Sequence, residues 1–245
     1  MVPHALFGPS FLPGKGERRA VSRGRASKER PSVSGLIFDF DGLLVDTEWA
    51  IYQSWVRLYR REGCGLPLDL FNACLGSGYT HWDPGRHLEK LTGKTYDWEA
   101  EHAARQREIE RDLEHEGLLP GAEELMQEAA ALGWPMAVAS SSSRRWVEGW
   151  LRRLGIFERF KGTFCRTDGY AVKPAPDLFL AALACLGVPQ EECLVLEDSR
   201  NGVEAARRAG LRCVAVPNRV TAGSDFSAAS CRAENLREVL SLLRA

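Results

Sequence analysis

Two aspartates, Asp39 and Asp41, end the apolar run Leu36-Ile37-Phe38, and Gly42 follows at once. Strand side chains alternate faces, but a chain that leaves its sheet at Asp39 can turn both acids into one cleft. Two carboxylates beside an apolar strand are costly unless a cation or hydrogen-bond donors compensate them. A strand closing in a solvated acidic turn is the plain alternative. Three further polar sets decide between the two. Ser140-Ser141-Ser142-Ser143 follows the apolar Pro135–Ala139, Lys173 stands in Val172-Lys173-Pro174-Ala175-Pro176-Asp177, and Glu197-Asp198-Ser199 follows Cys193–Leu196. Each has an ordinary reading alone, because serines cap helices and an acid at a helix start complements the dipole. All four sit where open α/β sheets bind ligands, beyond the carboxyl ends of strands.

Phosphoryl transfer is the chemistry these groups suit. Asp39 and Asp198, with Glu197 beside them, are hard oxygen donors of the kind that hold Mg²⁺. Such a cation offsets the repulsion between an attacking carboxylate and an anionic phosphate. Ser140 and Ser141, with the backbone N–H groups opening the next helix, are candidates to hold phosphoryl oxygens. Lys173 brings positive charge to the transition state. One aspartate can attack phosphorus, and the acid two residues on can move the protons.

The elements that must position these groups alternate along the chain. Strands are expected at Leu36–Phe40, Pro135–Ser140, Phe160–Cys165, Cys193–Glu197 and Arg212–Val216. Helices are expected around Ala122–Leu132, Trp146–Leu154, Pro176–Leu186 and Ser199–Ala209. Alternation of this kind predicts a doubly wound parallel sheet with helices on both faces, an α/β fold. Residues 48–117 break it and read as helices alone: Thr47–Glu62, a stretch near Thr80–Leu91, and Asp97–Glu116. The expected organisation is a core of residues 35–47 and 118–245, with an all-helical insert, 48–117, lying as a lid over the cleft. The first insert helix carries two apolar stripes, Trp49/Tyr52/Val56/Tyr59 and Ile51/Trp55/Leu58, one for its own bundle and one for a neighbouring domain. Gly76-Ser77-Gly78 reads as a loop that could point into the cleft. His81, Trp82, Arg86 and His87 are candidates for a leaving-group pocket, and Arg144 and Arg145 for substrate contact.

The segments DFDGLLVDTE, VASSSS, KPAPDLF and LEDSRNGVEAARRAG together resemble the haloacid dehalogenase superfamily, most closely its phosphatase/β-phosphoglucomutase branch. The likeness runs from Gly35 to about Asn218. It implies a Rossmann-like core with a helical cap and a Mg²⁺-dependent phosphatase acting on a small, sugar-like phosphomonoester through an aspartyl-phosphate. It implies Asp39 as nucleophile, Asp41 as general acid/base, Ser140 as phosphate ligand and Lys173 as the group that positions both. For the metal it implies Asp39, Asp198 and the Asp41 backbone carbonyl, with Glu197 as a further candidate that could act from behind the ligands. β-Phosphoglucomutases also carry a histidine five residues after the aspartate of the DT motif, where this chain has Ile51. That difference favours hydrolysis over a mutase. A non-enzymatic phospho-receiver is disfavoured by Asp41 and by the size of the insert.

Charge and cysteines bound the rest. Residues 1–34 carry seven Lys/Arg against two Glu, while residues 35–245 carry 25 basic and 31 acidic residues. The basic segment is Gly/Pro/Ser/Arg-rich and unpatterned, and reads as a disordered tail. An organelle transit peptide or an upstream start are the alternatives for it. Nothing in it argues for nucleic-acid binding. No apolar stretch approaches the roughly 20 residues of a membrane span. The seven cysteines form no CxxC pair and read as free thiols of a cytoplasmic protein. A monomer whose partner is a small phosphate ester is the expectation.

Overall fold

The computed structural model describes residues 33–79 and 82–244. Expectations for residues 1–32, and for His81, lie outside that range. Among the described residues, six parallel strands form one sheet: β1 (Gly35–Phe38), β2 (Met136–Ser140), β3 (Gly162–Cys165), β4 (Cys193–Glu197), β5 (Arg212–Ala215) and β6 (Cys231–Arg232). Their spatial order is β3-β2-β1-β4-β5-β6. The chain runs outward from β1 through β2 to β3, then returns to lay β4 on the other side of β1. The order therefore reverses at β1, and a crevice opens there at the carboxyl ends. This is the doubly wound, Rossmann-like sheet that the alternation predicts.

β1, β2 and β4 are buried along their whole lengths, as parallel strands covered on both faces must be. Leu36 and Phe38 face α5 (Ala122–Ala131), α6 (Arg144–Arg153) and α9 (Leu236–Arg244). Ile37 faces the other way, with Ala137 and Val195, onto α7 (Asp177–Leu186) and α8 (Arg200–Arg208). Each fully buried Leu or Phe of these layers contributes about 1.5–3 kcal/mol. β1 is shorter than expected, so Asp39 and Phe40 already leave the sheet. The strand β6 and the helix α9 complete the core beyond the last predicted strand. Leu236, Val239, Leu240 and Leu243 of α9 pack on α5 at helical spacing.

Between β1 and β2 the described residues contain no strand. Their helices are α1 (Thr47–Arg61), α2 (Leu68–Phe71), α3 (Pro84–Thr92) and α4 (Trp98–Asp112). Asp83 caps α3 by accepting from the Gly85 N–H at 2.7 Å, with Pro84 at the first helical position. The two-stripe reading of α1 needs correction. Trp55 and Leu58 join Tyr52, Val56 and Tyr59 in one cluster with Phe71 and Leu88, and only Ile51 also touches the sheet-side core. The reason is that α4 packs along α1 on that side, drawing the second stripe into the insert. Val220, from the loop after β5, enters the same cluster. The insert is tied to the sheet edge where Ser141 Oγ donates to the Gly76 carbonyl and Asn201 Nδ2 to the Leu75 carbonyl, each at 2.6 Å.

All seven cysteines are free thiols. No helix among the described residues is long and apolar enough to cross a membrane.

Candidate active site

Strand register brings the separated motifs together. Phe38 pairs with Leu196 on one side and Val138 on the other, and the Asp39 N–H extends the ladder to the Leu196 carbonyl at 3.0 Å. Asp39 therefore emerges between Ser140 and the Glu197-Asp198 pair. The Lys173 ammonium, completely buried, donates to Asp39 Oδ1 and to Glu197 Oε1 and lies 4.7 Å from the Phe179 ring centroid. Burial alone would lower the Lys173 pKa, but the charges of Asp39 and Glu197 more than offset it, so the lysine stays protonated. Glu197 is fully committed. Its other oxygen accepts from the Ser199 N–H at 2.8 Å and Ser199 Oγ at 3.0 Å, while Ser199 Oγ in turn caps α8 by accepting from the Gly202 N–H. A Cβ at position 202 would lie 1.7 Å from Glu197 Oε1, so only glycine lets this carboxylate tuck under the helix.

Asp41 is held by four donors. Thr47 Oγ1 (2.7 Å) and Trp146 Nε1 (2.8 Å) reach Oδ1, and Ser142 Oγ (2.5 Å) and Ser140 Oγ (3.3 Å) reach Oδ2. Ser140 Oγ also accepts from the Ser142 N–H at 3.1 Å. Ser141 is placed differently. Its hydroxyl bonds Gly76 and receives the Lys173 N–H at 3.3 Å, linking insert, serine loop and lysine loop.

Asp198 lies behind Asp39. Its Oδ2 accepts from Asn218 Nδ2 at 2.8 Å, while its Oδ1 is buried with no hydrogen-bond partner. Asn218 also reaches Glu48 Oε2 and the Gly42 carbonyl. Gly42 has φ +79°, and a Cβ there would meet Asn218, Asp198 and Glu48 within 3 Å. Burial pushes the Asp39 carboxyl up to about 8 against the pull of Lys173, and burial likewise raises Glu48 to about 8. Asp198 is raised by burial and by the charges of Glu48, Glu197 and Asp39. Four buried carboxylates thus share one buried ammonium. Donor oxygens of Asp39, Glu197 and Asp198 lie within 4.8 Å of one another. An orphaned buried oxygen within an uncompensated acidic cluster fits a hard divalent cation.

A cavity of about 840 Å³ opens from this cluster towards the insert. Asp39, Asp41, Ser140, Ser141 and Asp198 line its floor, and Ile51, Gly76, Gly78, Tyr79 and Arg105 line the insert side. Gly76 and Gly78 therefore do point into the cleft. Trp82, Arg86 and His87 do not line it; His87 stacks on Tyr59 and lies tilted against Trp82 within the insert. Arg144 is also turned away, held by Asp168 and Thr163, whereas Arg145 faces the cavity.

A family model for haloacid dehalogenase-like hydrolases matches residues 33–210. The chain belongs to this family. Protein YhcW of Bacillus subtilis is 38% identical to this HAD-like hydrolase over 207 residues, 84% of this chain and 94% of YhcW. The fructose-1-phosphate phosphatase YqaB of Escherichia coli is 31% identical over 187 residues, 75% of this chain and 96% of YqaB. Among solved structures, CbbY from Rhodobacter sphaeroides in complex with phosphate superimposes with a TM-score of 0.68 at 25% identity, covering 87% of this chain and all of that one. With phosphatase relatives matched over almost their full length, the HAD-like hydrolase is a phosphoric monoester hydrolase.

Several residues of the site escape sequence reasoning. Trp146 reads as part of the apolar face of α6, and nothing local shows that its indole N–H reaches Asp41. Glu48 reads as a first-turn acid of α1, and Asn218 as a loop residue. Their role depends on the turn at Gly42, which folds the start of α1 back beside Asp198. Only the proximity of Thr47 and Glu48 to the acidic pair was a signal.

Proposed function

We propose that this HAD-like hydrolase is a Mg²⁺-dependent phosphatase of a small, sugar-like phosphomonoester, acting through an aspartyl-phosphate on Asp39. The observation that carries the reading is the pairing of Asp39 with the buried Lys173 at the sheet's switch point, beside an Asp41 held by four donors. In the first step an Asp39 oxygen forms a bond to phosphorus as the ester P–O bond breaks. Asp41 gives a proton to the departing alkoxide. In the second step Asp41 takes a proton from water, whose oxygen attacks phosphorus and frees the Asp39 carboxylate and inorganic phosphate. Lys173 keeps Asp39 oriented and places positive charge beside the transferring group. Ser140 is the phosphate ligand, and Ser141 fixes the loop that presents it. Asp39, Asp198 and the Asp41 carbonyl would hold the metal. Glu197, with both oxygens engaged, acts through Lys173. When bound, the cation supplies neutralisation of the charge between carboxylate and phosphate.

Ile51 lines the cavity and has no proton to exchange, which supports water rather than a sugar hydroxyl as final acceptor. Sugar phosphates are the favoured class because YqaB is named for one. A cytoplasmic monomer, with the helical insert acting as a cap, completes the reading. A panel of phosphorylated sugars, followed by phosphate release, tests it. Turnover is expected with Mg²⁺, is lost with EDTA, and is undetectable for Asp39→Asn. Activity surviving Asp39→Asn would sink the nucleophile assignment. Conversion of β-glucose 1-phosphate to the 6-phosphate without net release would make the enzyme a mutase.

A further inference from the structure

Asn218, in the loop after β5, exchanges no atom in this chemistry, yet both polar atoms of its side chain are engaged. Its Oδ1 accepts from the Val220 N–H at 2.7 Å, the Thr221 N–H at 3.1 Å and Thr221 Oγ1 at 3.3 Å, and Thr221 Oγ1 in turn accepts from the Asn218 N–H at 3.0 Å. With three donors on the carbonyl oxygen, the amide nitrogen has to face the other way. There Nδ2 donates to Asp198 Oδ2 at 2.8 Å, to the Gly42 carbonyl at 3.1 Å and to Glu48 Oε2 at 3.2 Å. Two hydrogens thus serve three acceptors, two of them buried carboxylates. The loop is also anchored in the insert. Arg219 pairs with Asp46 at 2.7 Å and lies over the Trp49 ring, 4.3 Å from its centroid, while Val220 is buried in the insert's apolar cluster.

We propose that Asn218 is a positioning residue for the cation, holding Asp198 Oδ2 so that Oδ1 is the oxygen offered to the metal. The proposal rests on the reading that Asp39, Asp198 and the Asp41 carbonyl hold Mg²⁺. With Oδ2 pinned by the amide and Oδ1 buried without a partner, the Asp198 carboxylate is held in one orientation with one donor oxygen left. The same Nδ2 steadies the Gly42 carbonyl, one peptide beyond the Asp41 carbonyl that completes the donor set. Groups behind metal ligands set ligand orientation and tune affinity in this way. A turn-forming role alone does not account for an amide. Such a turn needs only a side-chain oxygen, which Asp or Ser supplies as well. Asp at this position would set a third carboxylate against Asp198 and Glu48, and Ser is too short to reach them. An amide of this length accepts from the turn and donates to the acids at once. Because Arg219 and Val220 root the same loop in the insert, Asp198 is oriented from the insert side as well as from its own strand.

The test is a Mg²⁺ titration of wild type and Asn218→Ser, read as Tm, since a ligand that binds only the folded state raises Tm with its concentration. Ser keeps a hydroxyl for the turn and withdraws the amide N–H groups. The Kd for Mg²⁺ drawn from the Tm series should rise roughly tenfold to a hundredfold in Asn218→Ser, the usual effect of losing a group behind a metal ligand. With p-nitrophenyl phosphate as the probe ester, the variant should need more Mg²⁺ for turnover, regain most of its kcat at saturating Mg²⁺, and show little change in KM for the ester. A Tm lowered equally at every Mg²⁺ concentration, with Kd unchanged, would show a turn residue only; that result overturns the proposal and leaves the cation reading intact. A wild-type Tm indifferent to Mg²⁺ would overturn the cation reading and the proposal together. If Asn218→Ser does not fold, Asn218→Thr, which also keeps a hydroxyl on Cβ, carries the same comparison.

Discussion

Replacing Lys173 with Met removes the one buried cation between two buried carboxylates. The side chains of Lys173 and Glu197 are wholly buried and that of Asp39 is 9% exposed, so solvent screens little of the interaction. Removing one partner of a buried ion pair costs about 3–5 kcal/mol, because the other charge is left uncompensated. For a domain of this size each kcal/mol corresponds to about 2–4 °C in Tm. Lys173→Met should therefore melt roughly 6–20 °C below wild type in EDTA. The cost is a charge imbalance rather than lost packing, so removing Glu197's charge as well should return part of it. In a double-mutant cycle, Lys173→Met with Glu197→Gln should be more stable than the sum of the two single losses by about 0.5–3 kcal/mol. Urea unfolding of the four proteins at pH 7 in EDTA measures this. Activity should fall by roughly a hundredfold or more for Lys173→Met, the effect of losing a donor aimed at developing charge. An unchanged Tm for Lys173→Met, or strict additivity in the cycle, would refute the view of Asp39, Lys173 and Glu197 as one electrostatic unit.

Trp146→Phe keeps most of the ring but removes the indole N–H that orients Asp41; a hydrogen bond contributes about 0.5–1.5 kcal/mol, so Tm should fall by roughly 1–6 °C, and the looser placement of Asp41 should lower kcat by roughly tenfold or more. An unaltered kcat would mean that the remaining three donors suffice to hold Asp41. Metal linkage has a definite sign. Without cation, burial holds the Asp39 and Glu48 carboxyls above their unfolded values. The folded state then binds more protons than the unfolded one, and stability is lost as pH rises from about 4 through about 8. Mg²⁺ takes the deprotonated carboxylates, so the Tm gap between Mg²⁺ and EDTA should widen as pH rises across that window. A gap independent of pH would contradict a cation in the acidic cluster.

Much of this was legible from residue order alone. Alternation of apolar strands and amphipathic helices dictates a parallel doubly wound sheet, because strands buried on both faces have no other arrangement that satisfies them. Asp39, Ser140, Lys173, Glu197 and Asp198 were legible because each follows a strand or opens a helix, and in such a sheet all those points share one edge. The chemistry followed from residue type. What the sequence could not express was the through-space pairing of side chains with no local relation. The indole of Trp146 reaches Asp41 across 105 positions, and Asn218 joins Asp198, Glu48 and Gly42 by way of a turn. Helical periodicity marks Trp146 as apolar and is silent about its N–H. The commitment of Glu197 to Lys173 and Ser199, rather than to an open coordination position, depends on the absence of a side chain at Gly202. Arg105 is the clearest case. In the sequence it is one arginine among many on a polar helix, and only the packing of α4 on α1 lays it over Trp55 in the wall of the cavity.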